Sequence, residues 1–260
     1  MKIEYSAKSV SGLVRDRNED AFLCLPEIGL FVVADGMGGH NRGDVASKLC
    51  VEAIRDWFES KATPSERDGK AGFIAWDKGK RVSPRKVLAQ SIRYANQSIF
   101  DTSRTKEDLA GMGTTVVALL VYGGMIYIVN SGDSRAYRLR MNTLHQVTRD
   151  HSLVAEYLRL HLLTRTSARV FPYRNVIVKA LGLSSEASFD MHNLHVRDDD
   201  LYLLCSDGLT EMVDDQELRA LLSENEDLEV LCDRLVEAAL EAGGIDNITV
   251  VLVRCRVNEG

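Results

Sequence analysis

The residues that staple, anchor or interrupt a chain are scarce here: 260 residues contain 5 cysteines, 4 prolines and 7% aromatics. Cys24, Cys50, Cys205, Cys232 and Cys255 are odd in number and lack the close spacing of a zinc site, which argues against a disulfide framework or a thiolate metal centre. Four of them fall within apolar strand or helix patterns, so buried free thiols and a reducing, cytoplasmic compartment are expected. No hydrophobic run reaches the length of a bilayer span, and the opening MKIEYSAKS lacks the apolar core of a secretion signal. Positive charge is short as well: 32 Lys+Arg against 38 Asp+Glu leave a formal charge of -6, so no extended basic surface for nucleic acid is signalled. What remains is a chain with 45% hydrophobic and 27% charged residues, long enough for one substantial core; a single domain over 1–260 is expected.

The stretch that organises the rest is residues 30–40, LFVVADGMGGH. Its unbroken apolar start predicts a strand buried on both faces, ending on Asp35 and followed by Gly36, Gly38 and Gly39. Glycines beside a carboxylate let another group approach the backbone closely, and Asp oxygens with the Gly36 carbonyl and water would suit a hard divalent cation. A solvent-facing Asp in a glycine turn would look the same locally, so other segments decide.

Those segments repeat the arrangement. A hairpin over residues 115–130, turning at Gly123-Gly124, leads to Ser131-Gly132-Asp133; a buried strand at 201–205 leads to Ser206-Asp207-Gly208. Asp246 and Asn247 stand at the entrance of the strongly β-forming segment 248–257, and antiparallel pairing with 201–205 would bring Asp207 and Asp246 together. Between 9 and 21, VRDRNED carries Arg15, Glu19 and Asp20 between two strand-like segments. Helical spacing appears at Ala46 to Phe58, after Pro84, over 151–163, and from Leu228 to Ala239; Asp214 and Glu217 have the spacing of a capping box. Residues 61–83, with Pro64, glycines and mixed charge, read as an exposed excursion.

Carboxylates gathered at one rim raise each other's pKa and oppose folding unless cations neutralise them. With no histidine or cysteine cluster the ligands are all oxygen, favouring Mg2+ or Mn2+ over zinc. Two such ions could bridge a water or hydroxide and hold it in line with phosphorus, while the Arg15 guanidinium binds phosphoryl oxygens, with no covalent enzyme intermediate. The cysteines lie in apolar runs without a phosphate-loop context, which disfavours a thiol nucleophile.

These residues also carry a resemblance. GLVRDRNEDA at Gly12, VVADGMGGH at Val32, GMGTT at Gly111, SGDSRAY at Ser131, TRDHSLV at Thr148, CSDGLTEMV at Cys205 and GGIDNITVVLV at Gly243 resemble, in order, the motifs of the metal-dependent type 2C serine/threonine protein phosphatases in their compact bacterial form. The resemblance implies an α+β, four-layer αββα sandwich with two central antiparallel sheets flanked by helices. It implies that Asp35, the Gly36 carbonyl, Asp207 and Asp246 hold two Mn2+ or Mg2+ ions, partly through water, with Asp20 a direct or outer-sphere contributor and Glu19 and Asn247 in support. Arg15 matches the phosphate-binding arginine, and Asp133 with Asp207 the place of a third, weaker ion. Implied partners are phosphoserine or phosphothreonine proteins and a bacterial Ser/Thr kinase or its targets, with no nucleic acid or membrane, for a monomer.

Two departures stand out. Met37 follows the Asp-Gly pair where relatives outside bacteria place a histidine, and His40 comes later, so the proton donor to the leaving group is open. The flap after DHSLV, near 159–174, has an aliphatic start and added arginines, of which Arg165 and Arg169 are expected to meet an acidic or phosphorylated substrate flank; the helix from His151 is expected to run on through Leu163. A silent binding module on the same scaffold would be favoured by a missing ligand, and none is missing.

Overall fold

A run like residues 30–34, with no polar residue in it, needs apolar neighbours on both sides of its strand, and the fold provides them by stacking two sheets between helices. The computed structural model describes residues 1–38, 42–64, 73–77, 80–168, 170–173 and 175–257, with only the backbone described at 62–64, 73–77, 80–81 and 165. The first part forms β1 (Lys2–Val10), β2 (Asp20–Leu25), β3 (Leu30–Met37), α1 (Gly43–Lys61), β4 (Ala62–Pro64), β5 (Phe73–Asp77), β6 (Lys80–Arg81) and α2 (Pro84–Thr105). The middle forms β7 (Gly113–Thr114), β8 (Val116–Tyr122), β9 (Met125–Ser131), β10 (Arg135–Arg140), β11 (Thr143–Gln146), α3 (Leu153–Arg159) and α4 (Arg165–Ala168). The last part forms β12 (Asp190–His195), β13 (Asp200–Cys205), α5 (Asp207–Thr210), α6 (Asp215–Leu222), α7 (Leu228–Glu241) and β14 (Ile248–Arg256).

One antiparallel sheet has the order β1-β14-β13-β10-β11, the other β12-β9-β8-β3-β2 with β7 also on β3. Along β3, Leu30, Val32 and Ala34 pack against Ile54, Phe58, Leu88 and Ile92 of α1 and α2, whereas Phe31 and Val33 meet Tyr202, Leu204, Val251 and Val253 between the sheets. On the far side Leu203 and Leu252 pack on Leu218, Leu231 and Leu235 of α6 and α7. This is the expected four-layer sandwich. Each such side chain contributes about 1.5–3 kcal/mol by leaving water, and a one-residue slip would turn every face over, so the register that places the strand ends is firmly set.

Side-chain caps open α2 and α6. Ser83 accepts from the Lys86 amide at 3.4 Å ahead of Pro84, and Asp214 accepts from the amides of Gln216 and Glu217 at 2.9 and 3.0 Å. Three expectations change. β3 runs on through Asp35 and Gly36 to Met37, where it pairs with β7. The helix expected through Leu163 stops at Arg159, because His161 takes φ +57 and residues 162 and 163 turn back to donate to the Tyr157 carbonyl; a separate turn, α4, follows. The excursion at 61–83 contains the antiparallel trio β4-β5-β6.

Candidate metal centre

The antiparallel pairing of β13 with β14, which sets Cys205 opposite Val250, puts the finish of one strand beside the start of the other. Asp207 and Asp246 therefore share one end of the sheet. Their loops touch: a Cβ on Gly208 would stand 2.0 Å from the Asn247 carbonyl oxygen and 3.4 Å from the Asp246 Cβ, so only glycine fits. In the other sheet Asp20 opens β2 directly opposite Asp35.

Hydroxyls stitch the two strand ends together across the sandwich. Ser206 Oγ and Thr249 Oγ1 donate to Asp20 Oδ2 at 2.7 and 2.6 Å, and the Ser206 hydroxyl in turn accepts from the Thr249 amide at 3.0 Å. The Asp35 amide donates to Thr115 Oγ1 at 3.0 Å, and that hydroxyl lies 2.7 Å from Ser134 Oγ, which ties the Asp133 turn to Asp35. Asn247 clamps the loop that carries Arg15, donating to the carbonyls of Ser11 and Arg17 at 3.0 and 2.8 Å and accepting from the Glu19 amide at 2.9 Å. The Glu19 carbonyl accepts from the Gly36 amide at 3.1 Å and from Ser47 Oγ at 2.5 Å, locking β2 to the Asp35-Gly36 corner. A cleft of about 600 Å³ opens here, lined among others by Arg15, Glu19, Asp35, Gly36, Asp207 and Asp246.

Electrostatics mark the same residues. Burial, then the charges of Asp20, Asp207, Asp133 and Asp246, drive the Asp35 carboxyl well above its ordinary range. Asp207 is driven up in the same way by burial, Asp133 and Glu211. Burial pushes Asp20 up to about 6 against the lowering effect of its two hydroxyl donors, and burial with Asp150 pushes Asp133 to about 6. Burial also raises Glu19. Arg15 Nη2 donates to Asp246 Oδ2 at 2.6 Å, which sets its positive charge against this excess.

A hard divalent cation fits these residues. Asp20 Oδ1, Asp133 Oδ1 and Asp207 Oδ1 are shielded from solvent yet have no hydrogen-bond partner among the described residues, a costly state that coordination or a bridging water would relieve. The donors are carboxylate and carbonyl oxygens, and Gly36 is packed so closely on Gly43 that a Cβ would come within 2.0 Å of its carbonyl oxygen. Among the described residues no three His, Cys, Asp or Glu side chains stand in ready ligand geometry; Arg15 engages Asp246, and Ser206 and Thr249 engage Asp20. Water would complete the shell, as it habitually does for Mg2+.

The structure thus brings Arg15, Glu19, Asp35, Gly36, Asp207, Asp246 and Asn247 to one cleft, with Asp20 behind its rim and Asp133 linked through Thr115 and Ser134. Met37 lines the cleft; His40 lies outside the described residues. Arg165 opens α4 with only its backbone described, and Arg169 lies outside the described residues. Sequence reasoning missed Asn175 and Ile177 of the cleft wall, which sit in an irregular segment without periodicity, and the hydroxyls of Thr115, Ser206 and Thr249. All three hydroxyls lie inside quoted motifs, GMGTT, CSDGLTEMV and GGIDNITVVLV, which mark the residues but not their distant partners.

Residues 14–242 match the protein phosphatase 2C family. The serine/threonine phosphatase stp of Listeria monocytogenes serotype 4b is 37% identical over 246 residues, covering 93% of this chain and 92% of its own. The crystal structure of the catalytic domain of the serine/threonine protein phosphatase PstP in complex with two manganese ions is similar with a TM-score of 0.83 and 33% identity over 98% of this chain and 99% of that one. Stp1 of Staphylococcus aureus is similar with a TM-score of 0.85 and 31% identity over 99% and 96% of the two chains.

Proposed function

Because the chain belongs to the protein phosphatase 2C family and is a metal-dependent serine/threonine phosphatase of the compact bacterial type, we propose that Asp35, the Gly36 carbonyl, Asp207 and Asp246 hold two Mn2+ or Mg2+ ions in the cleft. Asp20 contributes through water, and Asp133 with Asp207 serves a third, weaker ion. When bound, the ions would supply charge neutralisation and an activated water aligned for in-line attack on phosphorus, with no covalent enzyme intermediate. The observation that carries this reading is the set of shielded carboxylate oxygens without partners beside a cleft edged by a guanidinium.

The chain's own residues set the rest of the chemistry. Arg15 exchanges Asp246 for the phosphoryl oxygens, where its planar fork favours the charge that builds up in the transition state. Asn247 keeps that arginine in place by holding the carbonyls of Ser11 and Arg17. The Thr115 and Ser134 hydroxyls fix the spacing between Asp35 and Asp133. Met37 offers no proton, and water in the cleft would be a source of the proton for the leaving alkoxide.

The substrates are phosphoserine and phosphothreonine proteins, including a bacterial Ser/Thr kinase or its targets, acted on by a cytoplasmic monomer with one domain over 1–260. Among the described residues no helix is long and apolar enough to cross a membrane. Phosphate release with Mn2+ from a phosphopeptide, compared with p-nitrophenyl phosphate and single-stranded nucleic acid, tests the reading. Release from the phosphopeptide that is abolished by chelator supports it, whereas cleavage of the nucleic acid alone would replace it with a nuclease.

A further inference from the structure

The segment that closes the flap, residues 175–179, is a partition between two open spaces. On one side Asn175 and Ile177 line the 600 Å³ cleft; on the other, Val178 and Lys179 line a second cavity of about 1040 Å³ with Arg149, Ala155 and Leu158. Asn175, Val176 and Val178 are exposed, so hydrogen bonds from the side weigh heavily in its position. Residues 151–153 do this as a short antiparallel ladder: the Val178 amide donates to the His151 carbonyl at 2.8 Å, Ser152 bridges Ile177, and the Leu153 amide donates to the Val176 carbonyl at 2.8 Å.

His151, 7% exposed, has a second grip on a different part of the site. Its amide donates to the Gly132 carbonyl at 2.9 Å, and the Gly132 amide donates back to its Nδ1 at 3.2 Å. Gly132 immediately precedes Asp133, and its other face is pressed on Thr115, where a Cβ would come within 2.6 Å of that side chain. With Nδ1 accepting from Gly132, the ring proton is assigned to Nε2, which lies 3.2 Å from Asp190 Oδ2 on the edge strand β12. Nε2 is also 3.2 Å from Lys179 Nζ, a contact that this tautomer leaves without a hydrogen bond while Lys179 turns to Asp190. Lys179 Nζ donates to the other Asp190 oxygen at 3.1 Å. Burial, against the opposing pull of Asp190 and with the help of Lys179, lowers the tendency of the ring to take a second proton, which favours an accepting Nδ1. The preceding residue is fixed too, since Arg135 forks onto Asp150 with bonds of 3.0 and 2.7 Å.

We propose that His151 is a positioning residue that makes the Asp133 turn and the segment 175–179 that closes the flap move as one unit, its Nδ1 holding the turn and its Nε2 holding, through Asp190 and Lys179, that segment. It touches neither substrate nor ion; it carries the flap's position to Asp133. The metal arm of this inference rests on the reading of Asp133 as a ligand, and the structural arm does not.

Two substitutions separate the two nitrogens. In His151→Asn the side-chain oxygen replaces Nδ1 and the Nε2 arm is lost; in His151→Gln the amide reaches toward the Nε2 position and the Nδ1 acceptor is lost. Amide hydrogen exchange in chelator, without substrate, reads the arms directly. His151→Gln should speed exchange at Gly132 by about threefold to tenfold, the loss of one hydrogen bond, and leave Val178 nearer the parent; His151→Asn should do the reverse. With Mn2+, His151→Asn and Asp190→Asn should raise KM for a phosphopeptide at constant kcat, whereas His151→Gln should raise the Mn2+ concentration needed for half-maximal rate. Equal effects of Asn and Gln at both amides, or none, overturn the proposal, and Asp190→Asn decides it if either His151 variant fails to fold. A split in exchange without any Mn2+ response keeps the latch and removes Asp133 from the ligands.

Discussion

Replacing Arg15 by Ala separates the two partners its guanidinium serves. In the structure Nη2 is bonded to Asp246 Oδ2 at 2.6 Å, with the two side chains 55% and 30% exposed. A pair this open to water contributes no more than about 1 kcal/mol, so the melting temperature of a chain this long should fall by at most about 2–4 °C. The pair also competes with metal, because the bonded oxygen belongs to a proposed ligand. Releasing it leaves Mn2+ affinity unchanged or raises it, by at most about fivefold if the full 1 kcal/mol is recovered. A charge-assisted bond to phosphoryl oxygen is worth about 1.5–3 kcal/mol, so kcat/KM on a phosphopeptide should fall by about tenfold to a hundredfold, and product inhibition by phosphate should weaken with it. Arg15→Lys should restore part of the loss, since an ammonium supplies the charge without the fork. Steady-state kinetics at saturating Mn2+ and calorimetric Mn2+ titration of the same preparations read both quantities. Unchanged kcat/KM would reduce Arg15 to a surface ion pair, and a parallel loss of Mn2+ affinity would make it part of the metal site's framework.

Other perturbations follow from the same geometry. Gly36→Ala puts a Cβ 2.0 Å from the Gly43 carbonyl oxygen and 2.7 Å from that of Glu19, so the strand end must open by about 1 Å; about 1–3 kcal/mol of stability and about tenfold in Mn2+ affinity should go, and parent values in both melting and titration would contradict the packing argument. In chelator the protein should melt higher at about pH 5 than at about pH 7.5: Asp20 and Asp133 titrate near 6 when folded against 3.8 ordinarily, so the folded state takes up protons first and regains below pH 6 the stability that ionisation removes above it. Excess Mn2+ should reverse that trend, and a fall in melting temperature toward pH 5 in chelator would refute it. Replacing Arg165 and Arg169 together by Ala should raise KM for a phosphoprotein in a salt-dependent way and leave p-nitrophenyl phosphate hydrolysis unchanged; equal losses on both would place the flap's arginines in the catalytic framework instead.

Local pattern was enough where one physical demand governs a segment. Residues 30–34 read as a strand buried on both faces because they are, alternating between α1 and α2 on one side and the second sheet on the other. The meeting of Asp207 with Asp246 followed from antiparallel pairing of two β-forming segments. The contacts that join the sheets were not legible, because a hydroxyl such as Ser206 or Thr249 carries no period and its partner, Asp20, is 186 or 229 residues away. β12, DMHNLH, gave no strand signal: as an edge strand it is nowhere fully buried and alternates intermediate with exposed residues only at its end. The helix from His151 was overextended because Leu160 and Leu162 look like a continuing apolar face, yet they are 48% and 64% exposed, and His161 at positive φ has already turned the chain. The role of His151 was hidden inside DHSLV for the same reason as the hydroxyls, since its partners Gly132 and Asp190 are far away in sequence.

The central claim is that Asp207 and Asp246 are there to bind cations. Calorimetric titration of Mn2+ into Asp207→Asn and Asp246→Asn, with melting in chelator and phosphopeptide turnover on the same samples, tests it most directly. For Asp207→Asn the account predicts lost turnover, Mn2+ binding weakened by about tenfold or more, and a metal-free melting temperature equal to or above the parent's, because a neutral amide removes the repulsion that now lifts Asp207 and Asp35. Asp246→Asn should lose the same binding and turnover. Parent-like Mn2+ affinity and rate in both variants would contradict it.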